Sequence, residues 1–228
     1  MNMSLVPRVD IGDLIYHAWN RANAGGQLFV TDGDYQAFEY IVAEAKLLTK
    51  MRILAYCIMP NHWHFVLQPV HDGDLAVFFH WLTVTHAKRW HAIRGSAGQG
   101  HLYQGTYKSN LCQNDSHFLK LVRYVERNAL RANLTQRAES WRWSSGWRRL
   151  YGTEQQRLLL TDWPVQVPKE YADMLNAPQN QDELTAIRTA LRRGSPYGEG
   201  MWTDEMVAQH GLESTVRNPG RPQKRHLV

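Results

Sequence analysis

The chain has 228 residues, of which 43% are hydrophobic and 21% are charged, as in an ordinary globular protein. This composition argues against wholesale disorder, and no apolar run approaches the ~18–20 residues that cross a bilayer. We expect no signal peptide, because residues 1–8 lack an apolar run. Two cysteines, Cys57 and Cys112, are too few for a disulfide framework, so a reduced, cytoplasmic setting is expected.

The formal net charge is +5, which indicates a mild preference for polyanions. Its distribution is more informative, because residues 120–149 hold eight basic side chains against two acidic ones, with several tryptophans between them. Such a segment suits contacts to nucleic-acid phosphates together with stacking on bases. It equally suits a solvated basic helix whose aromatic residues lie in the core, so charge alone does not decide between nucleic-acid binding and a solvated surface.

The hydrophobic pattern predicts strand, helix, strand, strand, helix, strand and helix in that order. The predicted ranges are 13–19, 35–50, 52–59, 62–68, 75–94, 101–112 and 116–128. A Pro60-Asn61 turn joins the second and third strands as a hairpin, and glycines make residues 95–100 a mobile loop. This order predicts an α+β fold of the ferredoxin-like, split βαβ kind: an antiparallel sheet with helices packed on it.

The pattern weakens after Tyr151, where prolines punctuate a linker-like stretch. Two further helices are predicted at 182–193 and 203–209, and the chain ends in a basic segment rich in helix breakers. We therefore divide the chain into three parts. They are a main domain at 1–150, a helical C-terminal extension at 151–216 and a basic flexible tail at 217–228.

Two histidines two residues apart begin the strand at 62–68. His62 and His64 project from the same face of that strand, with Trp63 pointing the opposite way. Two imidazoles that converge in this way make half of a site for a divalent metal. The alternative is a pair of hydrogen-bonded surface histidines. The preceding Pro60-Asn61 turn favours the metal site, because it places the pair at an edge of the sheet that can stay open.

A tyrosine and an asparagine lie one turn apart on the helix predicted at 116–128. Tyr124 and Asn128 share one helical face. A tyrosine beside positive charge can act as a nucleophile, and an amide oxygen can complete a metal shell. A helical tyrosine is, however, more often a packing residue, so the spacing of Tyr124 and Asn128 alone does not show that they are functional residues.

Four motifs in chain order resemble those of the single-tyrosine HUH transposases. Residues 56–64 (YCIMPNHWH) resemble that family's Y-x-x-M-P-N-H-x-H signature. The other three are its G-x-x-[WFY]-Q-x-x-[FY]-x-S strand, its tyrosine helix and its W-S-S turn, at residues 100–109, 123–132 and 143–145. The branch associated with repetitive extragenic palindromes (REP) is the most similar, and residues 193–198 and 220–222 also look like it. Glu126 and Arg127 depart from the usual pattern but leave Tyr124 and Asn128 unchanged.

The resemblance implies an HUH endonuclease fold in which His62, His64 and Asn128 bind the metal. It implies that Tyr124 attacks a phosphate of single-stranded DNA, which leaves a 5′-phosphotyrosine link and a free 3′-hydroxyl that can later rejoin DNA. Two imidazoles suit Zn²⁺ or Mn²⁺ by softness, whereas the family's habit implies Mg²⁺ or Mn²⁺. The implied partner is hairpin-forming palindromic DNA in the bacterial nucleoid, bound by a monomer and without any membrane association.

Six further residues are candidates for DNA contacts. Gln104 and Lys108 lie on a predicted strand between the two halves of the site, although they also suit a plain sheet surface. Three arginines flank Tyr124 at helical spacing, where phosphates are commonly held. They are Arg123, Arg127 and Arg131. Arg221 in the tail resembles arms that read the minor groove, or belongs to a disordered end.

Three other functions are alternatives for the same residues. A histidine-motif nucleotide hydrolase needs a third alternating histidine, and position 66 is Val66. A structural zinc protein needs more cysteines and histidines at ligand spacing than this chain offers. A non-catalytic DNA-hairpin binder of the same fold remains open, although the presence of Tyr124 and of all three metal-ligand candidates argues against loss of catalysis.

Overall fold

A four-stranded antiparallel sheet forms the centre of the computed structural model, which describes residues 8–217. The strands are β1 Ile15–Arg21, β2 Arg52–Met59, β3 His62–Gln68 and β4 Lys108–Cys112. Their spatial order is β2-β3-β1-β4, so the first strand in sequence lies inside the sheet. The two-residue Pro60-Asn61 connection closes β2 and β3 into the expected hairpin. The predicted α+β antiparallel arrangement is confirmed.

Ten α-helices accompany the sheet within residues 8–217. They are α1 Asp32–Thr49, α2 Asp74–Arg94, α3 Ser116–Glu126, α4 Asn128–Arg131, α5 Ser145–Tyr151, α6 Glu154–Arg157, α7 Tyr171–Asn176, α8 Gln181–Arg193, α9 Gly200–His210 and α10 Glu213–Val216. Helix α1 begins at a capping box, in which Thr31 and Asp34 satisfy each other's backbone N–H groups. Every predicted helix is present. None of these helices combines the length and apolar character that crossing a membrane requires.

The helices cover the two faces of the sheet as separate layers. Alternation along β3 sends Trp63 and Phe65 to one face, where they join a cluster with Phe38 of α1 and Phe79 of α2. The opposite face carries a second cluster, in which residues of β2 and β3 pack against α3. His62 and His64 belong to this second face, because they alternate with Trp63. The strand period thus fixes which helix can lie opposite the histidines.

The strand predicted at 101–112 is wrong over its first seven residues, since β4 begins only at Lys108. The preceding segment is irregular, and an isolated bridge joins Tyr103 to Ala22, just beyond the end of β1. The Tyr103 hydroxyl lies 2.7 Å from His86 Nδ1 and accepts a 3.2 Å hydrogen bond from Trp63 Nε1. This buried anchor, formed by residues distant in sequence, outweighs the local preference for an extended strand.

The helix predicted at 116–128 is interrupted at Arg127, so that α3 ends at Glu126 and α4 starts at Asn128. Arg127 adopts φ −82° and ψ 1°, and its guanidinium donates to the Leu175 carbonyl at 2.8 Å. The fully buried Glu126 carboxylate accepts hydrogen bonds from Ser145 and, at 2.6 Å, from the Tyr171 hydroxyl. These partners hold the end of α3 in place.

The C-terminal helices share the second cluster with α3. Leu175 of α7 and Ile187 of α8 are almost fully buried there beside Phe118 and Val125 of α3. The division at residue 150 remains a prediction, and it would separate helices that bury their apolar side chains together. Arg221 and the rest of the tail from residue 218 onward lie outside the described residues.

Candidate metal and nucleophile site

The two histidines and the tyrosine predicted from the sequence meet on the α3 face of the sheet. The ring centroids of His62 and His64 are 5.2 Å apart, and the ring of Tyr124 on α3 is 6.1 Å from that of His64. Tyr124 is 7% exposed and His64 is 6% exposed, so both rings lie beneath the surface. Residues 60 positions apart in sequence are therefore immediate neighbours.

Asn128 is joined to Tyr124 by the side chain of Arg131. The Arg131 guanidinium lies 4.3 Å from the centroid of the Tyr124 ring and donates to Asn128 Oδ1 at 2.9 Å and to the Tyr124 carbonyl. Burial lowers the pKa of Arg131 to about 10, which leaves it cationic at neutral pH. A fixed positive charge thus sits against the ring of the candidate nucleophile.

Both histidines of the pair are neutral at physiological pH. Burial, helped by the positive charges of Arg21 and Arg131, lowers the pKa of His62 to about 4. Burial is also the main reason that the pKa of His64 lies well below its usual value, with smaller contributions from neighbouring rings and Arg131. A neutral imidazole keeps a lone pair on one ring nitrogen, and this is the form that binds metals.

The hydrogen bonds of the two rings leave the same nitrogen free on each. His62 Nδ1 lies 2.7 Å from Asn61 Oδ1, and because an amide oxygen can only accept, His62 Nδ1 carries the proton. His64 Nδ1 lies 2.9 Å from Nε2 of His17, a buried residue of β1. Each ring therefore turns its Nδ1 towards protein, and Nε2 of each ring makes no hydrogen bond to another side chain or backbone atom within residues 8–217.

Strand β1 contributes residues that the sequence analysis missed. His17 is fully buried, and the indole of Trp19 stacks on His64 at 6.2 Å between ring centroids. The ammonium of Lys108 on β4 lies 5.4 Å from the Trp19 ring centroid. Alternation along the segment IYHAWNR is a signal that His17 and Trp19 share a face. Only the pairing of β1 with β3, however, shows that this face is the one with the histidines.

The donor set suits a divalent cation. No group of three or more His, Cys, Asp or Glu side chains within residues 8–217 is arranged to hold a metal. The candidates are therefore the two imidazoles and Asn128 Oδ1, which keeps a second lone pair beside its bond from Arg131. Three neutral donors leave coordination positions for water or phosphate oxygens, as a catalytic ion requires.

Gln104 and Lys108 are exposed beside the C-terminal half of β1, next to Arg21 and Trp19 respectively. The Gln104 side chain accepts a hydrogen bond from the Arg21 guanidinium, and its backbone N–H donates to the Arg21 carbonyl at 3.0 Å. Arg21 is paired with His62 across β1 and β3, so Gln104 flanks the histidine strand. Because both side chains are exposed, a ligand that approaches His62 and His64 can reach them.

Two of the three arginines around Tyr124 contact the C-terminal extension. Arg123 forms an ion pair with Glu183 of α8 at 2.7 Å, and Arg127 is bonded to the Leu175 carbonyl. Arg131 faces Tyr124 instead, as described above. DNA contacts by Arg123, Arg127 and Arg131 remain predictions, and the intramolecular partners give the first two a structural role.

The antiparallel sheet thus carries the histidine pair on one face, with the helix-borne tyrosine beside it. The family described as "Transposase IS200 like" matches residues 10–128, so the chain belongs to that family. No curated protein matches the sequence.

Several chains of solved structures resemble this chain, among them the following two. The structure of a REP-associated tyrosine transposase bound to a REP hairpin is 17% identical, with a TM-score of 0.53. The match covers 78% of this chain and all of that one. A protein of Deinococcus radiodurans R1 described as a candidate transposase is 16% identical, with a TM-score of 0.37 over 60% of this chain and 94% of that one. The first likeness supports the fold.

Proposed function

We propose that this protein is a metal-dependent endonuclease and strand transferase that acts on single-stranded, hairpin-forming palindromic DNA. The observation that carries the proposal is the placement of the Tyr124 ring 6.1 Å from the ring of His64, which lies beside His62 with both Nδ1 atoms turned towards protein. Membership in a transposase family supplies the class of reaction. The metal-ligand roles of His62, His64 and Asn128 and the nucleophilic role of Tyr124 belong to this proposal.

The reaction begins with the Tyr124 hydroxyl. Its oxygen attacks the scissile phosphorus and its proton passes to solvent, while the bond from phosphorus to O3′ breaks and O3′ takes up a proton. The products are a 5′-phosphotyrosine link and a free 3′-hydroxyl, and attack by that hydroxyl reverses the step and joins DNA. A bound Mg²⁺ or Mn²⁺ would polarise the phosphate and stabilise the charge that develops on its oxygens. Arg131 adds a fixed positive charge beside Tyr124.

The substrate is proposed from the charge of the chain and from its similarity to a hairpin-bound transposase. The solved transposase of the same fold is bound to a REP hairpin. In this chain the exposed Gln104 and Lys108, together with Arg131 and Arg221, would contact the DNA, whereas Arg123 and Arg127 would do so only by releasing their present partners. A chromosomal substrate of this kind would bring the protein, as a monomer, to the nucleoid.

The test uses hairpin DNA with a single-stranded tetranucleotide on its 5′ side, incubated with Mg²⁺ or Mn²⁺. We expect a protein–DNA adduct that survives denaturation, and we expect Tyr124→Phe to abolish it. Tyr40→Phe is the matched control, because Tyr40 is 63% exposed on α1 and lies on the other side of the sheet. An adduct that persists in Tyr124→Phe, or none in the wild type, would overturn the proposed chemistry.

A second variant separates catalysis from binding. His64→Ala should abolish the adduct and leave hairpin affinity largely intact, because binding depends mainly on basic side chains and their counterions. Loss of affinity in His64→Ala would make His64 a structural residue. Hairpin binding without an adduct in the wild type, with either metal, would instead identify the protein as a non-catalytic binder of the same fold.

A further inference from the structure

A basic cleft lies along the edge strand β4. Residues 106–111 and residues 191–194 line it, and its volume is about 330 Å³. The described part of its lining holds no Asp or Glu, whereas it includes four basic residues: Arg8, Lys108, Arg192 and Arg193. None of these four forms an ion pair within residues 8–217. Carboxylates of the described chain therefore leave the positive charge of the cleft unpaired.

The segment that follows α8 shapes this cleft. Gly194 ends the helix with φ 72° and ψ 21°, a left-handed conformation that favours glycine. The chain then reaches β4, where the Tyr197 N–H donates to the Leu111 carbonyl at 2.8 Å. The Tyr197 carbonyl accepts from the Gln113 N–H at 2.9 Å. The segment thus covers the last part of the outer edge of β4 and leaves the first part uncovered.

The uncovered part of that edge presents backbone groups to a ligand. Residues two apart on a strand direct their backbone groups to the same edge. Because Leu111 and Gln113 bond Tyr197 on the outer edge, the N–H and carbonyl of Ser109 also point outward. Outside the ladder with β1, neither group has a hydrogen-bond partner within residues 8–217. Backbone N–H groups commonly bind phosphate oxygens, so Ser109 adds a donor to the four cations.

One end of the cleft adjoins the candidate site. Lys108 lines the cleft, and its ammonium lies 5.4 Å from the centroid of the Trp19 ring. Trp19 in turn stacks on His64, with 6.2 Å between the ring centroids. A DNA strand bound at His64 and Tyr124 can therefore continue past Trp19 and Lys108 into the cleft.

We propose that this cleft binds the phosphodiester backbone of the single-stranded DNA that flanks the hairpin. The identity of the strand rests on the proposed function. The class of ligand follows from the charge, because cations without partner carboxylates suit consecutive phosphates, and such contacts carry no base specificity. A volume of about 330 Å³ is on the scale of a few nucleotides and is too small to enclose a duplex.

A second copy of this chain is the competing occupant, since an exposed strand edge can pair with another strand. Pairing of two β4 edges would bring the cations of both copies together, and like charges that meet in an interface repel. A polyanion instead attracts all of the cations, and its counterions are released when they bind. Charge therefore favours DNA over self-association at this edge.

The first experiment measures the affinity for a hairpin with single-stranded flanks as a function of salt, without metal, so that no cleavage intervenes. In Arg192→Gln/Arg193→Gln the slope of log K against log salt should fall in magnitude by about 1.4, since each phosphate contact of a single strand contributes about 0.7. An unchanged slope would overturn the proposal.

The matched control is Arg52→Gln/Arg89→Gln, which causes the same change in net charge. Arg52 is ion-paired on β2, at the opposite edge of the sheet, and Arg89 is ion-paired on α2. This variant should keep the wild-type slope. An equal fall in both double variants would overturn the assignment to the cleft, because net charge alone would then account for the effect.

The second experiment replaces single phosphates of the DNA by neutral methylphosphonates. In the wild type, the replacement should weaken binding by about tenfold at adjacent positions of the flank, the effect of losing a hydrogen bond to a charged group. In Arg192→Gln/Arg193→Gln the same replacements should have little further effect, because changes to both partners of one contact are not additive. Additive losses, or losses confined to the hairpin stem, would overturn the assignment of the cleft to the single strand.

The outcomes separate this proposal from the proposed function. The expected salt and methylphosphonate responses without an adduct, with either metal, would support the cleft and overturn the proposed chemistry. An adduct together with wild-type binding by the cleft variant would do the reverse. If Arg192→Gln/Arg193→Gln does not fold, as judged by circular dichroism, Lys108→Gln decides the point, with an expected change in slope of about 0.7.

The molar mass of the DNA-free protein tests the competing occupant. Ser109→Pro removes an outward N–H, a change that an edge strand tolerates. A wild-type dimer that becomes a monomer in Ser109→Pro would identify a second copy on this edge and overturn the proposal. A molar mass that is the same in both proteins supports an edge that is open to DNA.

Discussion

At the scale of single residues, Arg131 links the parts of the candidate site. Its guanidinium stacks on Tyr124 and bonds Asn128 Oδ1, so one side chain fixes both. We expect Arg131→Gln to slow adduct formation by about 100-fold at saturating DNA, as when a preorganised charge is removed from a transition state. Arg131→Lys should recover only part of the rate, since an ammonium cannot stack as a planar guanidinium does.

Single-turnover rates measured with hairpin DNA test this expectation. Arg52→Gln is the control, because Arg52 forms an exposed ion pair with Asp13 away from the site. A full rate in Arg131→Gln would show that the stacked charge has no part in the reaction. A comparable loss in Arg52→Gln would point to a general effect of removing positive charge.

His86 illustrates the pH dependence that buried histidines confer on stability. Burial, with a contribution from Arg94, lowers the pKa of His86 to about 3, against about 6.5 in an unfolded chain. Between these values only the unfolded state binds the proton, so the free energy of unfolding falls as pH drops from 6.5 towards 3. The contribution of one such group is at most about 1.4 kcal/mol per pH unit.

Replacing the ring with one that cannot be protonated should weaken this acid sensitivity. We expect His86→Phe to show a shallower loss of stability between pH 6.5 and 4 than the wild type. Urea unfolding at several pH values measures the slope, and His80→Gln serves as the control because His80 is exposed on the same helix. Parallel slopes in the wild type and His86→Phe would contradict the lowered pKa of His86.

At the scale of elements, strand alternation and ordered motifs were enough to predict that His62, His64 and Tyr124 belong together. The contribution of β1 and β4 could not be predicted, because it depends on a register between strands about 90 residues apart in sequence. The irregular conformation of residues 101–107 could not be predicted either, because it depends on contacts with residues distant in sequence. The hydrogen-bonding contacts of Tyr103 with His86 and Trp63 hold this segment in place, and the local hydrophobic pattern does not reveal them.

The end of α3 is held by the C-terminal extension. Burial raises the pKa of the Glu126 carboxyl, and the Tyr171 hydroxyl bonds that group at 2.6 Å. Tyr171→Phe would leave a buried acceptor short of a partner, so we expect the free energy of unfolding to fall by about 1–3 kcal/mol. Because Glu126 is two residues from Tyr124, the same change should also reduce the rate of adduct formation.

Chemical unfolding and single-turnover rates on one preparation test both parts of this prediction. Tyr151→Phe is the control, since Tyr151 is 59% exposed and should change neither quantity. A stability loss without a change in rate would mean that the position of Tyr124 is independent of the extension. No loss of stability would mean that Glu126 finds another partner.

At the scale of the whole molecule, the two faces of the sheet carry different groups of side chains. Helices α1 and α2 cover the face with Trp63 and Phe65, where the large aromatic cluster lies. The other face carries the histidine pair, and α3 brings Tyr124 over it.

The distance between His64 and Tyr124 within one chain has a consequence for assembly. A site that one chain completes needs no partner, so two inactive variants should not rescue each other. We expect no adduct from a mixture of Tyr124→Phe and His64→Ala, whether the proteins are mixed or co-expressed. In an assembly that pairs the histidines of one chain with the tyrosine of another, the same mixture would regain activity. Recovery of the adduct, carried by the His64→Ala chain, would therefore overturn the single-chain site, and the molar mass in solution would then have to be that of a dimer.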